Sequence, residues 1–367
     1  MGSVPGYRLV ESIHKTSDCE VVRAVRERDG LPAVLKMMAL EDPTPRDIIR
    51  YRQEFKILSA LQSVPGVIRA HELIEAGQSL VLVMEDFEGV PLNQLYSSGM
   101  IPLEELLPLA IQAAKALGEI HALHVIHKDI NPSNILVNPR TREIRIIDFG
   151  IASLLTRENP VLSHPSGLEG TLAYISPEQT GRMNRALDYR TDLYSFGATL
   201  YELLLGKPVF ASESVLELIH SHIARLPPTP HEVDPKIPRV ISEMVMKLLS
   251  KTPERRYQSA FGVKADFEHC LEQLAKDGHI VSFALGKKDI SDRLNIPQKL
   301  YGRQVEIQTL LERFDRMVSL GGRDVFLLSG KPGVGKTALV HEVYKPMTQY
   351  QAAYVAGKFE SLRRDTP

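Results

Sequence analysis

Between residues 127 and 150 the chain reads HKDINPSN, ILV, NPRTRE, IRII, DFG. No other stretch constrains the fold as much. Two β-branched runs, 135–137 and 144–147, are joined by six residues rich in turn formers, which is a hairpin pattern. Pairing the runs brings their outer ends together. Asn134 and Asp148 must then lie side by side, with Asp129 on the loop just ahead of them. An amide and two carboxylates at one sheet end offer the oxygen ligands a hard divalent cation takes. Alone, Asn134 or Asp129 would read as a turn or cap residue, so the weight lies in the order and spacing.

The flanks are patterned too. Val-, Leu- and Met-rich runs at 21–24, 33–37 and 80–85 predict strands. Apolar residues Ile48, Ile49, Tyr51, Phe55, Leu58 and Leu61 predict a helix over 46–61. A second helix follows Pro102, with Leu106, Leu107, Ala110, Ala114, Leu117, Ile120 and Leu123 on one face. Pro108 in it marks a first turn or a kink. Helical patterns dominate 192–274, interrupted by the proline-rich stretch 226–238, which reads as a loop.

Three motifs stand in order: HKDINPSN, DFG at 148–150 and SPE at 176–178. This set resembles that of the eukaryotic-like serine/threonine protein kinases, over about residues 7–272. The resemblance implies a bilobal α+β fold and γ-phosphoryl transfer from Mg-ATP to a protein Ser or Thr. It implies Asp129 as acceptor of the substrate hydroxyl proton, and Asn134 and Asp148 as Mg²⁺ ligands. AVLK (33–36) resembles the family's lysine strand. Lys36 would hold the α/β-phosphates and pair with Glu54 of RQEFKIL. Ile13, Val21, Met84, Glu85 and Phe87 would line the adenine pocket, with Met84 as gatekeeper. DLYSFG (192–197) is similar to the family's D-x-W-S-x-G helix start, with Tyr194 for Trp. Arg256 would pair with Glu178. HKDINPSN has no arginine after Asp129 of the kind tyrosine kinases carry.

Some positions depart from the family. His14, Thr16 and Cys19 stand where the phosphate loop has glycines, so the backbone has less freedom to approach an anion. Lys128 replaces the H-R-D arginine. Asn131 replaces the lysine that normally supports the transferring phosphate.

A new α/β pattern starts near Tyr301. GKPGVGKT (330–337) is a complete G-x-x-x-x-G-K-T phosphate loop between the strand pattern DVFLLS and a helical one. Gly330, Gly333 and Gly335 would let backbone amides cradle phosphate. Lys336 would reach the β/γ-phosphates and Thr337 would bind Mg²⁺. No Walker B aspartate can be placed in the remaining residues. KLYGRQ and AGKFES resemble the AAA-type ATPase region of bacterial, especially cyanobacterial, hybrid kinases, and PTPRDIIRYRQEF resembles the same family's kinase half. The expected organisation is a kinase domain over 7–272, a linker over 273–297 and the opening of a P-loop ATPase domain over 298–367. The chain then reads as a fragment of a multidomain sensor kinase that contacts further signalling domains.

Composition narrows the setting. A net charge of −1 gives no electrostatic case for a nucleic-acid partner. No membrane segment is expected, since no run of 18 apolar residues occurs. Two isolated cysteines predict a reducing, cytoplasmic location. Three other readings stay open. A pseudokinase scaffold fits the glycine-free loop. A small-molecule phosphotransferase shares H-x-D-x-x-x-x-N but should lack SPE. A nucleotide-dependent assembly module would rest on the phosphate loop.

Overall fold

The computed structural model describes residues 4–38, 43–76, 79–96, 101–154, 170–181, 187–289 and 303–321, and beyond these 323, 325–329, 336 and 339. The chain divides into two compact units. The larger is Met1–Thr180 with Ala186–Leu294, and the smaller is Gly181–Arg185 with Asn295–Pro367.

The larger unit opens with a five-stranded sheet in the order β1-β2-β3-β5-β4. The strands are β1 (Tyr7–Lys15), β2 (Cys19–Arg26), β3 (Pro32–Met38), β4 (Ala70–Ala76) and β5 (Ser79–Glu85), with every neighbouring pair antiparallel. Register sets Lys36 opposite Val21 of β2 and Leu82 of β5. Side chains alternate along a strand. Ala33 and Leu35 therefore join a buried cluster with Tyr7, Val81 and Val83, while Val34 and Lys36 line a cleft. Helix α1 (Pro45–Ala60) follows β3. It starts where Thr44 and Asp47 cap each other and Pro45 fills the first turn.

The rest of this unit is mainly helical. After the short β6 (Val90–Pro91) and α2 (Leu92–Leu95), α3 (Leu103–Ala122) buries Leu106, Leu107, Ala110, Ala114, Leu117 and Ile120. Pro108 lies inside α3, and the helix runs through it with one N–H bond fewer. β7 (Val125–Ile126) pairs with β10 (Ser153–Leu154). β8 (Ile135–Val137) and β9 (Ile144–Ile146) form the hairpin, with Ile135 opposite Ile146. The Asn138 side chain closes its turn by accepting from the N–H groups of Arg140 and Thr141.

Then come α4 (Arg190–Leu205), α5 (Val215–Ala224), α6 (Pro230–Val233), α7 (Arg239–Leu248) and α8 (Ala260–Asp277). Helix α4 is buried along nearly its whole length, so it forms the spine of this lobe. The proline-rich stretch is not wholly a loop. Its α6 is one helical turn started by a Thr229–Glu232 capping box.

The expected linker begins differently. Residues 273–277 belong to α8, which ends at Gly278 in the left-handed conformation. Beyond it, Ile280, Phe283 and Leu285 pack on the core. Asp289 accepts from the N–H groups of Gln258 (2.7 Å) and Ser259 (2.8 Å) at the start of α8. A Cβ at Gly262 would lie 2.3 Å from an Asp289 oxygen, so glycine is what admits this close approach. These three lie in the short apolar run 280–285 (IVSFAL), which the polar residues on either side outweigh when the whole stretch is read by composition.

In the smaller unit, α9 (Gln304–Leu320) buries Leu310 and Phe314, four residues apart on one face. Residues 325–329 form no strand, contrary to the DVFLLS pattern; among the described residues no neighbouring strand pairs with them. A strand needs a partner to satisfy its N–H and C=O groups. Lys336 is helical, while Gly330, Gly333, Gly335 and Thr337 lie outside the described residues, as do 290–302 and 340–367.

Candidate active site

The site begins at Lys36. Its Nζ donates to Glu54 Oε1 (2.8 Å) and Oε2 (3.0 Å) and to Asp148 Oδ1 (2.9 Å). One ammonium thus ties the sheet, α1 and the end of the hairpin together. Burial works against the Lys36 charge, but the two carboxylates outweigh it and hold the ammonium well above its ordinary value. Burial likewise opposes the Asp148 charge, yet Lys36 brings that carboxyl down to about 2. Both groups are therefore charged at neutral pH. Asp148 has φ +62°, a left-handed conformation that aspartate tolerates better than most residues.

The loop that carries Asp129 is pinned from two sides. Asn134 Nδ2 donates to Asp129 Oδ2 (2.9 Å) and to the Asp129 carbonyl (2.9 Å). The Thr171 N–H donates to Asp129 Oδ1 (2.7 Å). The Ile147 N–H donates to the Asn134 carbonyl (3.0 Å), so the strand carrying Asp148 is bonded to Asn134. Beneath the loop lies Asp192, fully buried. It accepts from the N–H groups of His127 (2.9 Å) and Lys128 (2.7 Å), with His121 Nε2 at 2.9 Å. Burial opposes its charge, and the His121 hydrogen bond still keeps its carboxyl below the usual value. His127 packs edge-on against the buried Phe149.

Farther out, Arg256 and Glu178 form a buried bidentate pair at 2.6 and 2.8 Å. The pair anchors the segment after Thr171 to the loop before α8.

A cleft of about 690 Å³ is lined by Ile13, Val21, Lys36, Glu54, Met84, Glu85, Phe87, Asn134 and Asp148. It collects every residue assigned to the nucleotide from sequence in this unit; Asp129 stands beside Asn134, outside that lining. The Glu85 carboxylate accepts from Arg69 N–H and Arg145 Nε, so its charge is already engaged. Asn138 Nδ2 donates to the Phe87 carbonyl (3.2 Å). Asp148 offers an ionised oxygen and Asn134 an amide oxygen. Mg²⁺ suits one or two such protein oxygens, with phosphate and water completing its shell.

Three features lay beyond the motifs. Asn131 is an N-cap: its Oδ1 accepts from Ser133 and Asn134 N–H, and its Nδ2 donates to Thr171 Oγ1 (3.1 Å). An Asn directly before a Pro is a legible cap signal. Arg50 Nε donates to the Gly150 carbonyl (2.9 Å) and Gln53 Nε2 to that of Ala152 (3.1 Å), latching α1 to the segment after Asp148. No spacing rule points to these two bonds. Tyr51, on the same helix, also lines the cleft.

Residues 7–270 match the protein kinase domain model, and residues 299–367 match an AAA ATPase domain model. Serine/threonine-protein kinase PknB of Mycobacterium leprae is 30% identical over 271 residues, covering 72% of this chain and 42% of that protein. A probable serine/threonine-protein kinase of Streptomyces coelicolor is 30% identical over 275 residues, covering 72% and 40%. Hybrid signal transduction histidine kinase G of Dictyostelium discoideum is 37% identical over 214 residues, covering 53% of this chain and 6% of that protein. The chain thus spans less than half the length of each of these relatives. With the lysine, the two aspartates and the asparagine gathered on a two-lobed α+β frame, and with the family model covering most of its length, the chain belongs to the protein kinase domain family.

Proposed function

We propose that this chain transfers the γ-phosphoryl group of Mg-ATP to a serine or threonine hydroxyl of a protein. The observation that carries this is the junction at Lys36. It joins Glu54 and Asp148, while Asn134 and Asp129 are bonded to each other beside it. The substrate hydroxyl oxygen attacks the γ-phosphorus, and the bond to the β-phosphate oxygen breaks. Asp129 orients the hydroxyl and takes its proton, and ADP leaves. Lys36 holds the α/β-phosphates. Asp148 and Asn134 would hold Mg²⁺, which supplies charge neutralisation of the phosphates when bound. The base lies against the backbone of Glu85 to Phe87, between Ile13, Val21 and Met84.

The setting proposed is bacterial signalling, in a hybrid kinase of the cyanobacterial type. Its support is the likeness to bacterial serine/threonine kinases, the AAA match after the kinase domain and the likeness to a hybrid histidine kinase. Gly330, Gly333, Gly335, Lys336 and Thr337 would form a second nucleotide site there. The location proposed is cytoplasmic, supported by two free cysteines; among the described residues no helix is long and apolar enough to cross a membrane.

A pseudokinase remains the second reading, favoured by the β1–β2 turn without glycine. A labelled-ATP transfer assay separates the two. Asp129→Asn should lower the rate at least about 10²-fold, as expected for loss of a positioned base. Equal transfer by both proteins would refute catalysis by this site.

A further inference from the structure

Three amides of the β1–β2 turn are already engaged within it. Thr16 Oγ1 accepts from the N–H groups of Asp18 (3.3 Å) and Cys19 (3.1 Å), and the Thr16 N–H donates to the Cys19 carbonyl (2.9 Å). In a glycine-rich loop, such N–H groups face the phosphates. Here three of them are spent inside the turn, so a nucleotide's phosphate chain needs a donor from elsewhere.

Helix α1 supplies a candidate three residues before Glu54, on the same face. Tyr51 is 7% exposed and lines the cleft. The Lys36 ammonium lies 5.8 Å from its ring centroid. Among the described residues that line the cleft, Tyr51 is the one with a buried side-chain polar atom, its hydroxyl, that has no hydrogen-bond partner. A buried donor left unmade is costly, and phenylalanine would fill the same space without that penalty. The hydroxyl therefore points to an acceptor that arrives from outside. Burial pushes the phenol above its ordinary pKa, so it keeps its proton at neutral pH and can only gain from a nearby anion as a donor.

We propose that the Tyr51 hydroxyl donates a hydrogen bond to the phosphate chain of the bound nucleotide, in place of an amide of the β1–β2 turn. This rests on the nucleotide reading of the cleft. It makes Tyr51 a binding residue of the phosphate site, and it assigns α1 a direct part in holding substrate besides presenting Glu54.

The test is equilibrium binding of a non-hydrolysable ATP analogue with Mg²⁺, and of adenosine, to the full chain and to Tyr51→Phe. The variant should bind the analogue roughly tenfold more weakly and adenosine equally well, the size expected for one hydrogen bond to a charged acceptor. In turnover, the ATP KM should rise with kcat changing less. Equal affinity for the analogue would overturn the proposal. So would a parallel loss for adenosine, which would mark a packing effect. A wild-type chain that binds the analogue but transfers no phosphate would overturn the kinase reading alone, and weaker analogue binding by Tyr51→Phe would still support this role.

Discussion

Replacing Glu178 by glutamine removes one charge from a pair with almost no contact with water. The Arg256 side chain is 0% exposed and that of Glu178 is 2%. Glutamine offers one oxygen where the carboxylate offered two, and it turns an N–H₂ group toward a guanidinium that cannot accept. Arg256 keeps the carbonyls of Ser250, Arg190 and Lys251 as acceptors, so it is not stripped of partners. Breaking a buried pair costs about 3–5 kcal/mol, and those remaining acceptors place this case near 3. That is a large share of the ~5–15 kcal/mol that holds a typical domain. It corresponds to a fall in Tm of roughly 5 °C for a unit of this size. Acid should erase the difference. Burial opposes the Glu178 charge, but Arg256 outweighs it and holds the carboxyl below its ordinary 4.5. The carboxylate's contribution is therefore complete above pH 4.5 and is lost as pH falls through the depressed folded value. Thermal melts of both proteins from pH 7 to pH 3 are the assay. The gap should be widest at neutral pH and narrow in acid. A gap under 2 °C at pH 7, or one that stays constant down to pH 3, would refute the account.

Four further outcomes are expected. Arg50→Ala combined with Gln53→Ala unlatches α1 from the segment after Asp148, at about 1 kcal/mol per bond, and should raise the ATP KM several-fold; unaltered steady-state kinetics would count against the latch. Asp289→Ala should lower unfolding stability by about 1–3 kcal/mol, read as a shift of the urea midpoint, because two N–H groups at the start of α8 lose a charged acceptor. Thr156, Ser163 and Ser166, which lie outside the described residues, can be changed together to Ala with only a modest loss of transfer, since Lys128 lacks the planar fork of an arginine for a phosphate. Thr171→Ala should cost about fivefold more, because Asn131 loses its bond to the Thr171 hydroxyl.

The legible part of this molecule is local. The β8–β9 hairpin follows from two β-branched runs, and it alone predicts that Asn134 and Asp148 meet. The apolar spacing over 46–61 gives α1, whose start at Thr44 and Asp47 the structure adds. What stayed hidden depends on chain segments far apart. Arg50 and Gln53 are ordinary surface types until folding sets them 100 and 99 residues away, against Gly150 and Ala152. Asn131 read as a lost lysine, whereas folding uses it as a cap that also reaches Thr171. Residues 278–289 read as linker because the apolar run 280–285 is short and flanked by charged residues, and because one aspartate does its work against a backbone 30 residues earlier.

The register of β3 has a consequence for how this sequence can change over time. Lys36 faces the cleft because it pairs with Val21 and Leu82 in one fixed alignment. Deleting or inserting a single residue between Pro32 and Lys36 would leave a strand of usable length and pattern. It would also turn the ammonium to the opposite face, toward Tyr7 and Leu35, and leave Glu54 and Asp148 facing each other. Changes in length are therefore filtered far more harshly than changes in letter along this strand. The exposed turn at 27–31, which follows β2, is where a lineage can gain or lose residues and keep its chemistry.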